Sequence, residues 1–158
     1  MSKIPVIIDV DTGIDDAVAL VLALQSDKLD IKGITTVAGN QTIEKTTRNT
    51  LDVVEYFGRS EIPVAMGATQ PLVRPQIIAA YAHGESGLGT AVLPKSKKQA
   101  EAIDAVAFIK KTLEERQEEF RFIIGNGARG AIAVHLAIKY LSYLVDKGLD
   151  VILDEYWR

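Results

Sequence analysis

Apolar positions along the chain change period several times, and each change marks an element boundary. Val6-Ile7-Ile8 is a β-branched run that breaks at Asp9, and from Asp15 onward Ala17, Val18, Leu20, Val21, Leu22 and Leu24 follow helical spacing. The pattern predicts a strand, a tight turn at Gly13 and a buried helix. It then repeats: residues 29–37 read as a second strand, Gly39-Asn40 as a turn, and residues 42–57 as a helix stopped by Gly58. Residues 62–66 read as a third, shorter strand. From Ala102 onward, Ala105, Val106, Ile109 and Leu113 share one helix face, with lysine and glutamate outside it. Residues 120–124 then read as a strand, residues 131–147 as a helix ended by Gly148, and residues 151–153 as a last strand.

Between the third strand and the Ala102 helix the periodicity disappears. Pro71, Pro75 and Pro94 punctuate this stretch, and the glycine-rich run His83-Gly84-Glu85-Ser86-Gly87-Leu88-Gly89 lies in its middle. We expect a long loop region over residues 67–96 with a short helix at residues 77–81. Loops of that length inside a domain are usually functional.

Strands alternating with helices predict an α/β fold, a mostly parallel β-sheet flanked by helices with a Rossmann-like core. Ligands of such sheets sit beyond the carboxyl ends of the strands. The aspartates after strand one, Gly39-Asn40 after strand two, the His83 run after strand three and Gly125-Asn126-Gly127 after the fourth major strand all open on that edge.

Composition narrows the field. The chain has 158 residues, 47% hydrophobic and 25% charged, which suits one domain with a sizeable core. The net charge of −3, with no basic block, gives no footprint for nucleic acid or an anionic membrane. Cysteine is absent, which excludes disulfides, thiolate metal sites and cysteine nucleophiles. The start, Met1-Ser2-Lys3-Ile4-Pro5, has neither signal-peptide nor membrane-span character, so the expected location is cytoplasmic.

The candidate chemistry lies in Asp9-Val10-Asp11-Thr12-Gly13-Ile14-Asp15-Asp16, four carboxylates within eight residues at a strand-to-helix junction. Their mutual repulsion raises some of their pKa values unless a cation compensates. Oxygen-only ligation favours Ca²⁺, Mg²⁺ or Mn²⁺ over zinc or copper. A structural alternative puts Asp15 and Asp16 in the favourable first turn of the helix with Asp11 as its cap. Asn40 also reads as a turn residue, His83 as an incidental loop histidine, and His135 as a structural residue of an apolar helix.

The segment Asp9 to Ala17 resembles the amino-terminal signature of the inosine-uridine preferring nucleoside hydrolases, which cleave the N-glycosidic bond of ribonucleosides with water and a bound calcium ion. Val37-Ala38-Gly39-Asn40 with Asn49-Thr50-Leu51 is similar to the family's second segment, and the run from His83 to Gly89 to its third. The resemblance implies Asp11 and Asp16 as calcium ligands, Asp15 as the general base that deprotonates the attacking water, and Asp9 as a supporting carboxylate behind them. It further implies that Asn40 binds the ribose hydroxyls and that His83 lines the pocket near sugar or base. Chemically this is coherent, because a cation and a carboxylate together can activate water against an oxocarbenium-like sugar.

The sequence also departs from the family. In place of a Gly-Pro-Leu-Thr-Asn-like turn it reads Gly127-Ala128-Arg129-Gly130-Ala131, where the carbonyl of Gly130 is the expected calcium ligand. Family members run well past this length, and their later ribose-gripping residues, leaving-group histidine and last aspartate ligand have no counterpart before Arg158. The expectation is a shortened nucleoside hydrolase-like domain, with a nucleoside as partner and assembly into a homo-oligomer. Two further readings stand beside it. One is a non-catalytic remnant that binds metal or ribose, or serves as an assembly partner. The other is a haloacid dehalogenase-type phosphatase with Asp9 as nucleophile, which the Gly13-Ile14-Asp15-Asp16 continuation does not suit.

Overall fold

The computed structural model describes residues 3–73 and 75–115, together with the backbone of residues 121–124. Along the chain these form β1 (Ile4–Val10), α1 (Ile14–Leu24), β2 (Leu29–Thr36), α2 (Ile43–Tyr56), β3 (Val64–Met66), α3 (Ala80–His83), α4 (Ala105–Glu114) and β4 (Arg121–Ile124). The strands make one sheet in the order β3-β2-β1-β4, with every neighbouring pair parallel.

That order requires the chain to travel outward from β1 through β2 to β3 and then return across the sheet to β4. Right-handed crossovers place α1 and α2 on one face and send α4 over the other. Contacts agree: α1 packs on α2, and α4 packs on β2 and β3. Side-chain alternation along β1 shows the same layering. Val6, Ile8 and Val10 join Leu20, Leu24, Leu51, Val53 and Val54 in the core under α1 and α2, while Ile7, on the opposite face, is also fully buried. A strand covered on both sides is the usual condition of a parallel sheet.

Local chemistry sets the element ends. Gly58 takes a positive φ of 70° after α2, and its amide and that of Arg59 bond back to Glu55 O and Val54 O, both at 2.9 Å, closing the helix as its sequence predicts. The later helix starts at Ala105, three residues after Ala102, because the Asp104 carboxylate caps it by accepting from Ala107 N at 2.9 Å. The short helix expected at residues 77–81 is instead α3, at Ala80–His83, so His83 ends a helical turn. Strand β1 does not break at Asp9 but runs through it to Val10, paired with Thr35 on one side and Ile124 on the other. The predicted helix at residues 131–147, the strand at residues 151–153, the Gly125-Asn126-Gly127 turn, Gly130 and His135 lie outside the described residues. Among the described residues no helix is long and apolar enough to cross a membrane.

Ile34, on β2, is completely buried within this core. Truncating it to alanine is expected to cost about 2–5 kcal/mol of stability. Urea denaturation checks this through a lowered midpoint at an unchanged m-value.

Candidate active site

The topological switch lies between β1 and β4, where the chain's outward and return paths diverge, and a parallel sheet opens a crevice there for ligands. The carboxyl ends of β1, β2 and β3 lead directly into Asp11-Thr12-Gly13, residues 37–41 and Gly67, so the first two expected loops meet on that edge. The His83 loop joins them. His83 Nδ1 accepts the Ile14 amide at 3.2 Å, at the start of α1, and lies 3.9 Å from Asp15 Oδ1. With its Nδ1 lone pair so used, the imidazole carries its proton on Nε2.

The four aspartates divide by environment. Asp15 is well exposed in the first turn of α1. Asp9, Asp11 and Asp16 are buried. Asp11 and Asp16 form the centre: the Asp11 amide donates to Asp16 Oδ2 at 2.9 Å, and Asp11 Oδ2 accepts the Asn40 amide at 2.8 Å. Asp11 therefore does not cap α1, whose N-cap is Gly13 with no side-chain hydrogen bond. Gly39 is required at its position because a Cβ there would collide with Asp11 Oδ2. Asp9 stands behind this pair and accepts the hydroxyl of Thr35, its neighbour in the β1–β2 register.

Burial dominates the electrostatics. It pushes Asp16 up to about 8, with the Asp11 charge and the contact between the two carboxyls adding to the rise. Burial also raises Asp11, against the lowering effect of the Asn40 amide. Asp9 rises to about 7 through burial, opposed by the Thr35 hydroxyl and aided by the charge of Asp16. Among the described residues no lysine or arginine pairs with any of the three. No three histidine, cysteine, aspartate or glutamate side chains among the described residues are grouped to hold a metal. The donors present are a two-carboxylate, oxygen-only half-site. It fits a hard cation that draws its remaining oxygens from elsewhere, since Ca²⁺ takes about six to eight.

Asn40 and His83 both reach this centre. An ideal Cβ on Gly13 would lie 2.5 Å from His83 Nδ1 and 2.7 Å from Asn40 Nδ2, so the two side chains converge on the same turn. Asn40 Nδ2 is buried and has no hydrogen-bond partner among the described residues. Gln41 Oε1 is likewise unpartnered.

Helix α2 holds the irregular connection in place. On one side Gln41, Lys45 and Asn49 reach the His83 loop. On the other, Arg48 donates to Ser96 O at 2.8 Å and Lys98 O at 3.0 Å, Asp52 accepts Ser96 N at 2.8 Å, and Glu55 accepts the Ser96 hydroxyl. Sequence reasoning did not assign roles to Gln41, Lys45 or Thr35. The available signal was the four-residue spacing of positions 45 and 49, which places them on one face of α2, with Gln41 on the approach to that helix.

The site is thus a buried carboxylate pair at the switch point of an α/β domain, with a buried amide nitrogen that has no partner among the described residues and an exposed carboxylate beside a histidine. The model of the inosine-uridine preferring nucleoside hydrolases matches residues 6–139, and the chain belongs to that family. The pyrimidine-specific ribonucleoside hydrolase RihA of Photobacterium profundum is 48% identical over 133 residues, 84% of this chain and 43% of its own length. Its counterpart in Citrobacter koseri is 47% identical over the same share of this chain and 42% of its own. Among solved structures, a purine-preferring ribonucleoside hydrolase from Gardnerella vaginalis superposes with a TM-score of 0.80 at 27% identity, covering 90% of this chain and 46% of that one. A plant nucleoside hydrolase gives 0.73 at 34% identity, covering 78% of this chain and 39% of that one. The chain thus spans less than half the length of the relatives it matches.

The carboxylates carry a pH prediction. Their folded-state pKa values lie above the ordinary 3.8, at about 7 for Asp9 and about 8 for Asp16. Without a cation, the folded state therefore binds more protons than the unfolded state in this interval, and stability falls as pH rises through it. In EDTA, thermal or urea unfolding is expected to show a loss of at least about 1 kcal/mol from pH 5 to pH 8. Asp9→Asn should flatten that slope.

Proposed function

We propose that the chain carries the water-activating part of a nucleoside N-ribohydrolase site, acting on the glycosidic bond of purine or pyrimidine ribonucleosides. The observation that carries this reading is Asn40. Its backbone amide fixes Asp11 Oδ2, while its buried Nδ2 points into the same turn without a partner among the described residues. A ribose hydroxyl is a suitable acceptor for that donor, beside the two carboxylates. The relatives' names give the substrate class: pyrimidine ribonucleosides for RihA and purine ribonucleosides for the Gardnerella enzyme.

Asp11 and Asp16 would hold calcium, with the Gly130 carbonyl as a further ligand. A calcium ion held there would supply positive charge that eases deprotonation of nearby water and attracts sugar hydroxyls. Asp15 is exposed at the sheet edge and serves as the general base, taking a proton from the water whose oxygen attacks C1′. The C1′–N bond breaks with its electron pair leaving on the base, through an oxocarbenium-like sugar. His83 is held by the Ile14 amide on Nδ1 and offers its Nε2–H to the sugar or base. Asp9 accepts the Thr35 hydroxyl and supports the buried pair from behind. Homo-oligomerisation and a cytoplasmic location belong to the same proposal. Exposed Val18 and Leu22 on α1 support the first, and the composition supports the second.

The purified chain with uridine or inosine should release base in a calcium-dependent manner, followed by absorbance with and without EDTA. Asp15→Asn is expected to lower kcat by about 10²- to 10⁴-fold with calcium binding retained. Asp11→Ala should abolish calcium binding, read by calorimetry. Calcium or ribose binding without any base release would replace this reading with that of a non-catalytic binding domain.

A further inference from the structure

Three consecutive carbonyls of the His83 loop are each taken by a side chain from α2 or its amino-terminal approach. Gln41 Nε2 donates to Gly84 O at 2.9 Å, Lys45 Nζ to Glu85 O, and Asn49 Nδ2 to Ser86 O at 2.8 Å. Lys45 and Asn49, one helical turn apart on α2, thus meet carbonyls one residue apart, and Gln41 just before the helix meets the one preceding them. Asn49 differs from the other two because its nitrogen also donates to Thr12 O at 3.2 Å, in the aspartate turn. Both protons of one buried carboxamide nitrogen are thereby shared between the turn that leads into Asp15 and the loop that follows His83. The reversed amide would set its oxygen against two carbonyl oxygens, so the chemistry fixes its orientation. Gly87 makes the approach possible: its φ is +87°, and a Cβ there would come within 2.8 Å of Asn49 Nδ2.

We propose that Asn49 is a positioning residue for the hydrolytic site, fixing the His83 loop to the aspartate turn through its paired bonds to Thr12 O and Ser86 O. Its connection to catalysis rests on the hydrolase reading above, while its effect on His83 does not. With Asn49 in place, Gly84 to Ser86 are held against α2, and His83 Nδ1 meets the Ile14 amide at the head of α1. Without it, the Thr12 turn and the Ser86 turn lose their shared donor. His83 then no longer has a single placement relative to Asp15, although the sheet and the core under α1 and α2 are untouched.

The test uses the 158-residue chain and reads the imidazole itself. In the wild type, ¹⁵N spectra of His83 should show the Nε2–H tautomer with a hydrogen-bonded Nδ1, and the Ile14 amide should exchange slowly with solvent. Asn49→Asp replaces the donor with an oxygen. It is expected to give mixed His83 tautomers and Ile14 exchange about tenfold faster, the size of one lost hydrogen bond. Asn49→Ser, which keeps one donor, should fall between the two. Thr47→Val, on the same helix as Asn49, removes the hydroxyl contact to Thr36 of β2, 2.7 Å in the wild type, without touching the His83 loop. It should lower stability and leave both His83 readouts unchanged. The proposal is overturned if folded Asn49→Asp keeps the wild-type signals, if Thr47→Val alters them equally, or if neither Asn49 variant folds, since that would make Asn49 a general core residue. None of these readouts requires turnover, so an inactive chain leaves the test intact. Where turnover is present, kcat should fall in Asn49→Ser with little change in calcium affinity.

Discussion

The carboxylate of Asp16 beneath the backbone of Asp11 is the constraint around which the rest of the edge is arranged. Two buried acids, one just past β1 and the other in the first turn of α1, with no lysine or arginine paired to either among the described residues, are costly in a folded protein, and the cost falls on the charged forms. The surrounding donors offset part of it: the Asp11 amide serves Asp16, and the Asn40 amide serves Asp11. Each of those amides belongs to a turn that follows a parallel strand. The sheet register therefore decides whether the pair can exist at all. Gly39 shows how tight this is, since the turn after β2 lies against the Asp11 carboxylate with no room for a side chain.

From that pair the division of labour among the aspartates follows. Asp9 is inside a strand, so its side chain is committed to Thr35 and to burial. Asp15 is one residue before Asp16 on α1, and that single step around the helix turns it outward to the edge, where water and His83 are within reach. Adjacent carboxylates thus acquire opposite characters from helix geometry alone. One is buried, with its pKa raised by that burial, and the other is exposed at the edge beside His83.

Much of this was legible in the sequence because it depends on local order. β-Branched runs followed by helical spacing gave β1, α1, β2 and α2, and Gly58 marked the end of α2 through its positive φ. The aspartate cluster, Asn40 and His83 were recognisable by type and order, and the structure brings them to one turn at Gly13. What sequence could not give depends on contacts across long separations. That Asp9 is a strand residue answering to Thr35 is a matter of register between β1 and β2. That Asn49 reaches both Thr12 and Ser86 depends on how a loop without periodicity lies on a helix. The start of α4 shifted because the Asp104 cap outweighed the apolar pattern that began at Ala102.

The connection between β3 and α4 looks unconstrained by secondary structure, yet α2 grips it at two separate places, at Gly84 to Ser86 and at Ser96 to Lys98. This divides it into stretches with different freedom to change during evolution. Val92 projects into solvent between the grips, and Leu72 and Val73 do so ahead of the first, so length variation at either place leaves both anchors seated. A residue added between Gly84 and Ser86 would instead carry Ser86 O out of register with Asn49 while Gln41 still held Gly84. A change of length at the mouth of the site is therefore accommodated in the slack segments, while the fastened ones depend on their spacing.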